Sequence, residues 1–246
     1  MATSLLALSA VGLGSLVLTS TSAAADSPAT LLAEYTFDTV TTNGANVSTV
    51  SDDTGGGHVL TLSGAWSVTN GVSTPAVSFQ PISMGNSPHT SDLNPGTREF
   101  AVTTVFKLPG DSSALPDTPN IVQKGFFSDA GQWKMQLKPG PGLIQCRFKG
   151  SLGAKLVSSS RLGVDDGAWH TSTCWRSGNV LGVTVDGVTD QVTANVGSIA
   201  STRPLRVGAK SLTATTDQFS GTLDYVAVAI GDGAAVRSRA SAPTVP

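Results

Sequence analysis

Residues 165–188, DDGAWHTSTCWRSGNVLGVTVDGV, can fold in very few ways. Ser177-Gly178-Asn179 and Asp186-Gly187 supply the small and Asx residues that accept positive φ, which tight turns between twisted strands require. Between these turns Leu181, Val183 and Val185 alternate with Val180, Gly182 and Thr184, the period of two expected of a strand with one buried face. The stretch is a β-meander, and Cys174 lies in its opening strand.

The same pattern runs along most of the chain. Leu31, Ala33, Tyr35 and Phe37 share one parity of a first strand over 31–38. A polar loop over 41–53 and the turn Asp53-Thr54-Gly55-Gly56-Gly57 precede a strand at 58–62, and a short one follows at 76–79. The strand at 99–108 is apolar on both parities and therefore expected to be buried on both faces. Further strands are predicted at 120–124, 132–138, 143–149, 154–157, 205–207 and 222–230, with Pro139-Gly140-Pro141-Gly142 as a turn. No run of ten or more residues has a helical period, so the fold class is all-β, a sandwich or barrel in one domain over 26–233. Residues 234–246 are small, charged only at Arg237 and Arg239, and expected to form a flexible tail.

Charged residues make up 13% of the 246 positions, about half the usual share, and the net charge is -2. With Lys and Arg scattered, nothing offers nucleic acid a basic stripe, and no nucleic-acid partner is expected. Residues 1–25 hold no charged side chain; an apolar run over 5–18 ends in Ala23-Ala24-Ala25 before Asp26. This is the pattern of a signal peptide cut after Ala25. The run is shorter than the about 20 residues a membrane span needs, so a secreted monomer with no span after cleavage is expected. Export makes the two cysteines legible: Cys146 and Cys174, in neighbouring predicted strands, are most simply a disulfide, contributing about 3 kcal/mol through loop closure.

Four segments, in order, resemble a laminin G-like domain of the concanavalin A-like lectin/glucanase superfamily, in its exported bacterial form. They are Tyr35-Thr36-Phe37-Asp38 with Asp53-Thr54-Gly55-Gly56-Gly57-His58-Val59-Leu60; Asn120 to Gly125; Gly167-Ala168-Trp169-His170 with Val183-Thr184-Val185-Asp186-Gly187; and Phe219 to Val228. The resemblance implies two antiparallel sheets packed as a jelly-roll sandwich, and a structural calcium ion held by Asp38 and Asp224 with main-chain oxygens. The alternative for these two acids is capping of strand ends. Asp224 shares parity with Val226, Val228 and Ile230, where an unpaired carboxylate is costly.

Catalysis finds little support. Glycoside hydrolysis needs two carboxylates at a set separation, and the chain has only two glutamates, Glu34 and Glu99, in separate strands. No E-x-D-x-x-E strand, lyase motif or G-x-S-x-G is present, and His170 reads as a satisfied core histidine. Trp133 shares parity with Met135 and Leu137 and belongs to the core. The opposite parity of that strand, with Lys134, continues to Arg147 on the next. That polar face is either plainly solvated or a surface for sugar hydroxyls or acidic glycans. Trp169 and Trp175 lie opposite Cys174 in parity; they face outward, either to stack on a sugar or to be covered by loops. The expected function is non-catalytic carbohydrate binding. The alternatives are a glycan hydrolase or lyase on the same fold and a module that adheres to protein.

Overall fold

The computed structural model describes residues 28–42, 47–72, 74–110, 112, 117–240 and 242–245; the expected signal peptide over 1–25 lies outside them. The strands are β1 (Thr30–Tyr35), β2 (Val40–Thr42), β3 (Ser48–Val50), β4 (Leu60–Asn70), β5 (Pro75–Ser87), β6 (Phe100–Lys107), β7 (Asn120–Lys124) and β8 (Gln132–Lys138). They continue as β9 (Leu143–Gly150), β10 (Gly153–Ser158), β11 (Trp169–Ser177), β12 (Val180–Val185), β13 (Val188–Thr193), β14 (Leu205–Val207) and β15 (Gly221–Ile230). One helix, α1 (Ala234–Arg239), follows. All strand pairings are antiparallel.

The pairings trace one ribbon folded into two layers. The front sheet runs β10-β9-β8-β7-β14 and ends on the later half of β5; the back sheet runs from β15 through β6, β11 and β12 to β13. β5 serves both layers, pairing β14 through Gly85–Ser87 and β15 through Val77–Phe79. The corner between these halves is set by backbone conformation. Gly64 opposes Ser83 and Trp66 opposes Phe79, so β5 carries two extra residues there, and Ile82 takes φ 65°. A Cβ on Gly64 would fall 1.9 Å from the Ile82 carbonyl oxygen, so only glycine fits. Strands that bend and switch sheets are how sandwiches turn corners.

Between the layers lies the core. Met135, Leu137, Ile144, Cys146 and Phe148 from the front meet Phe100, Val102, Phe106, Cys174, Val183 and Val228 from the back. Trp133 joins them, as its parity predicted. The Cys146–Cys174 disulfide forms, with Cα atoms 5.5 Å apart. Its strands are not neighbours, however: β9 pairs β8 and β10, while β11 pairs β6 and β12. The bond therefore crosses the core and ties the sheets together. First and last strands lie side by side, β1 on β15, and β6 is buried on both faces, as its double apolar parity required.

The outer face of the back sheet explains that second burial. Ala101, Ala227, Ala229 and Val105 point outward; α1, with Ala234 and Ser238 buried, packs on Ala101 and Ala229, while Ala242 and Val245 pack against the cluster of Val105 and Ala227. Ser238 Oγ sits 2.8 Å from Thr103 Oγ1, which sits 2.9 Å from Thr173 Oγ1. Where the composition of 234–246 suggested a flexible tail, its first six residues form a docked helix. Alanine and serine let it approach a sheet face made of equally small side chains, a fit without a hydrophobic period to announce it. Likewise 41–53, expected as loop, contains the short strands β2 and β3.

Replacing both cysteines by alanine is expected to lower stability by about 3–4 kcal/mol, given the separation of 28 residues. That corresponds to a melting temperature about 10 °C lower. A fall of less than about 2 °C in thermal unfolding would show that packing alone holds the sheets together.

Candidate functional site

On the outer face of the front sheet, β-sheet register lines up polar side chains that sequence parity had put on one side. Gln123 pairs with Lys134, and Lys134 with Arg147, in one row across β7, β8 and β9. In the next row Gln136 Nε2 donates to Gln145 Oε1 (2.9 Å), and Gln145 Nε2 donates to Ser158 Oγ (2.9 Å). Over this floor open two adjoining hollows of ≈ 540 and ≈ 330 Å³, sharing Phe127, Gln132, Lys134 and Asp217 in their walls.

Loops build the rim. The β7–β8 turn carries Phe127, which is 75% exposed, with the Arg147 guanidinium 4.4 Å from its ring centre. Arg147 Nη1 donates to Gln132 Oε1 (3.1 Å), so the guanidinium is held between an amide and an aromatic face. From the β14–β15 loop Lys210 Nζ donates to Asp217 Oδ2 (2.7 Å), and Asp217 itself adopts φ 61°. Asn120 Nδ2 donates to Gln123 Oε1 (3.0 Å), leaving Asn120 Oδ1 buried with no hydrogen-bond partner.

Lys134 is the exceptional member. It is only 9% exposed, yet its ammonium makes no hydrogen bond or ion pair among the described residues. Its pKa is pushed down to about 8, first by burial, with Lys210 and Arg147 adding to the fall and Asp217 and Asp117 opposing it.

Lys134 and Arg147 thus come together, whereas Trp169 and Trp175 lie on the opposite face of the sandwich. Both tryptophans point away from the core, as expected from Cys174, and both are half-buried there. Trp169 packs with Val105, Tyr225 and residues 242 and 245, under Lys107 Nζ at 5.1 Å. Trp175 packs against α1 and donates from Nε1 to Thr184 Oγ1 (3.2 Å). A hollow of ≈ 570 Å³ beside Trp169 is lined by groups that satisfy one another. In it His170 is bonded at Nδ1 to Asp186 (2.7 Å) and at Nε2 to Asp166 (3.0 Å). Burial works against the imidazolium, but those two carboxylates outweigh it and raise the pKa. Such a histidine fixes a hairpin and offers a ligand no free atom.

The glutamates are also engaged away from the groove. Glu34 Oε1 accepts from Tyr225 Oη (2.7 Å), and Glu99 holds Ser177 Oγ and the Gly233 amide at the start of α1.

Asp224 departs from the parity reading. The β15–β6 register shifts between Leu223 and Tyr225, so Leu223 joins the core with Val226 and Val228, and Asp224 sits at a β-bulge. Its carboxylate lies against the Gly71 backbone, where a Cβ would come within 1.8 Å of Oδ1. Neither oxygen has a hydrogen-bond partner of ordinary geometry among the described residues. Burial raises its pKa to about 6; the Val72 amide opposes this and the exposed Asp38 carboxylate adds to it. Among the described residues no group of three or more His, Cys, Asp or Glu side chains could hold a metal.

Sequence reasoning missed Phe127, Asp217 and Asn120. Phe126-Phe127 in a turn rich in Ser, Asp and Gly was the available signal, since aromatics in such a turn are unusual.

Compared with known proteins, residues 85–229 match the family model described as the concanavalin A-like lectin/glucanases superfamily. Among solved structures, domain 4 of AbnA is similar at TM-score 0.58 and 17% identity. AbnA is a GH43 extracellular arabinanase from Geobacillus stearothermophilus, and the domain was solved with arabinotriose; the match covers 83% of this chain and 94% of that one. The binding domain of Paraclostridial Mosquitocidal Protein 1 is similar at TM-score 0.59 and 13% identity, over 81% of this chain and 47% of that one. The botulinum neurotoxin serotype G binding domain follows at 0.53 and 10%, over 83% and 48%. The chain spans about half the length of these two toxin domains. No curated protein is significantly similar in sequence.

Because burial disfavours its charged form, Lys134 lowers stability fully below pH about 8, and the penalty fades as pH rises toward the unfolded value of 10.5. Lys134→Met is therefore expected to stabilise the protein by about 1–3 kcal/mol at pH 7 and by little at pH 10.5. Urea unfolding at both pH values checks this; equal effects at the two would rule out the charge as the cause.

Proposed function

This chain belongs to the concanavalin A-like lectin/glucanase superfamily, and we propose that it acts as an extracellular, non-catalytic carbohydrate-binding module through the groove over Phe127. The observation that carries the reading is the composition of that groove. Side-chain amides and an exposed aromatic ring converge on one open floor, with Asn120 buried in its wall. Sugars present hydroxyls that donate and accept, together with apolar C–H faces; amides meet the first and an aromatic ring the second. A strip of β-sheet as floor suits an extended oligosaccharide. The arabinotriose-bound arabinanase domain, with which the chain shares its architecture over nearly that domain's whole length, supports the same reading.

The acids favour binding over cleavage. Asp217 is paired with Lys210, and Glu34 and Glu99 are held on the other side of the molecule, which leaves no pair of free carboxylates facing each other across the groove among the described residues. An extracellular setting agrees with the disulfide, and no helix among the described residues is long and apolar enough to cross a membrane.

A structural calcium ion at Asp224 and Asp38 belongs to this proposal. A buried carboxylate met only by the Val72 amide, outside ordinary hydrogen-bond geometry, fits a hard cation, and main-chain oxygens and water would complete the six to eight ligands calcium takes. The ion would offset the charge that burial penalises at Asp224 and would have no part in ligand chemistry.

Two outcomes are expected. On an array of neutral and acidic oligosaccharides the protein binds a defined subset; Phe127→Ala weakens that binding about tenfold, while Trp169→Ala and Trp175→Ala change it less than about twofold. Failure to bind any glycan would end the carbohydrate reading. Separately, millimolar calcium raises the melting temperature by several degrees, EDTA reverses the rise, and Asp224→Asn abolishes it; a melting temperature indifferent to both reagents would remove the ion.

A further inference from the structure

Resting on the carbohydrate reading above, we propose that the groove is built for an anionic glycan, whose carboxylate or sulfate group seats against Lys134. The charge arrangement carries the inference. Lys210 and Asp217 form a close pair and cancel. Lys134 and Arg147 remain, set against the half-buried Asp117, and Lys149 stands at the rim with its Nζ on the Phe127 carbonyl (2.9 Å). The groove is thus positive in a chain whose net charge is -2.

Lys134 cannot be assigned to the fold. More than nine-tenths buried, it has no counter-ion within salt-bridge distance and no acceptor within hydrogen-bond distance. Two other cations that lose solvent are provided for. Lys124 Nζ bonds the Arg203 carbonyl (2.7 Å) and His89 (2.8 Å), and Arg176 bonds the Gly96, Gly178 and Gly197 carbonyls. With neither kind of partner in the protein, the ammonium keeps only the water that reaches the groove, and an anionic group entering there would pair it. A neutral hydroxyl would satisfy one of its donors and leave the charge; an anionic oxygen satisfies both, as a charge-assisted hydrogen bond. Arg147, already fixed over Phe127 and on Gln132, positions a second cation one strand away, so consecutive sugar residues could each find a partner.

The test is affinity electrophoresis and calorimetry at physiological salt. The probes are polygalacturonate for carboxylate, heparin for sulfate, and linear arabinan and a β-glucan as neutral polymers. At least one polyanion should bind ten times or more tighter than either neutral polymer, and whichever polyanion does so identifies the anionic group. Lys134→Met should erase that preference without lowering the melting temperature, while Lys155→Met, on the exposed edge strand β10, leaves it within about threefold. Neutral polymers binding as tightly as both polyanions would overturn this inference and leave the carbohydrate module standing. No binding by any of the four would overturn both. A polyanion preference unaltered in Lys134→Met would overturn the assignment to Lys134.

Discussion

Everything in this molecule depends on the central strands β6 and β15 being buried on both faces. Their inner side chains meet the front sheet; their outer ones, mostly alanine, valine and threonine, meet α1 and residues 242–245. A two-layer sandwich has two broad outer surfaces, and this arrangement covers the centre of one of them. The front sheet, with no helix across it among the described residues, retains an accessible floor. The location of the groove follows from which sheet face the C-terminal segment covers.

Much of this could be read in the sequence. Period-two patterning with Gly and Asx turns specified most of the strands, though not β2, β3 or β13, nor the extension of β4 to Asn70. The double apolar parity of 99–108 specified a strand buried on both sides, and the cysteine pair specified the bridge. What parity could not reveal was which strands face one another across the core, so Cys146 and Cys174 were placed side by side when they belong to opposite sheets. Nor can parity survive a bulge. The shift at Asp224 exchanges the faces of everything before it in β15, so a carboxylate expected beside Val226 stands instead against Gly71.

The candidate site divides the same way. Lys134 and Arg147 were legible because regular strands carry them, and alternation puts both on the face away from Met135 and Cys146. The rim was not legible. Phe127, Lys210 and Asp217 come from loops whose course depends on tertiary packing, and Asn120 is turned toward Gln123 by an irregularity in the β7–β8 register. The tryptophans show the converse limit: parity correctly sent them outward but carried no information that a short helix of small residues would meet one of them there.

Cys146 and Arg147 are consecutive in β9, one bonded through the core to the back sheet and the other facing the groove. The floor of the groove is therefore mechanically part of the most constrained region of the protein, while its rim hangs on two turns. Structural stability and ligand choice are in this way assigned to different parts of the chain. Insertions or exchanges around 126–129 and 210–218 can redraw what the groove accepts without disturbing the scaffold beneath, an economical arrangement for a domain whose architecture serves many ligands.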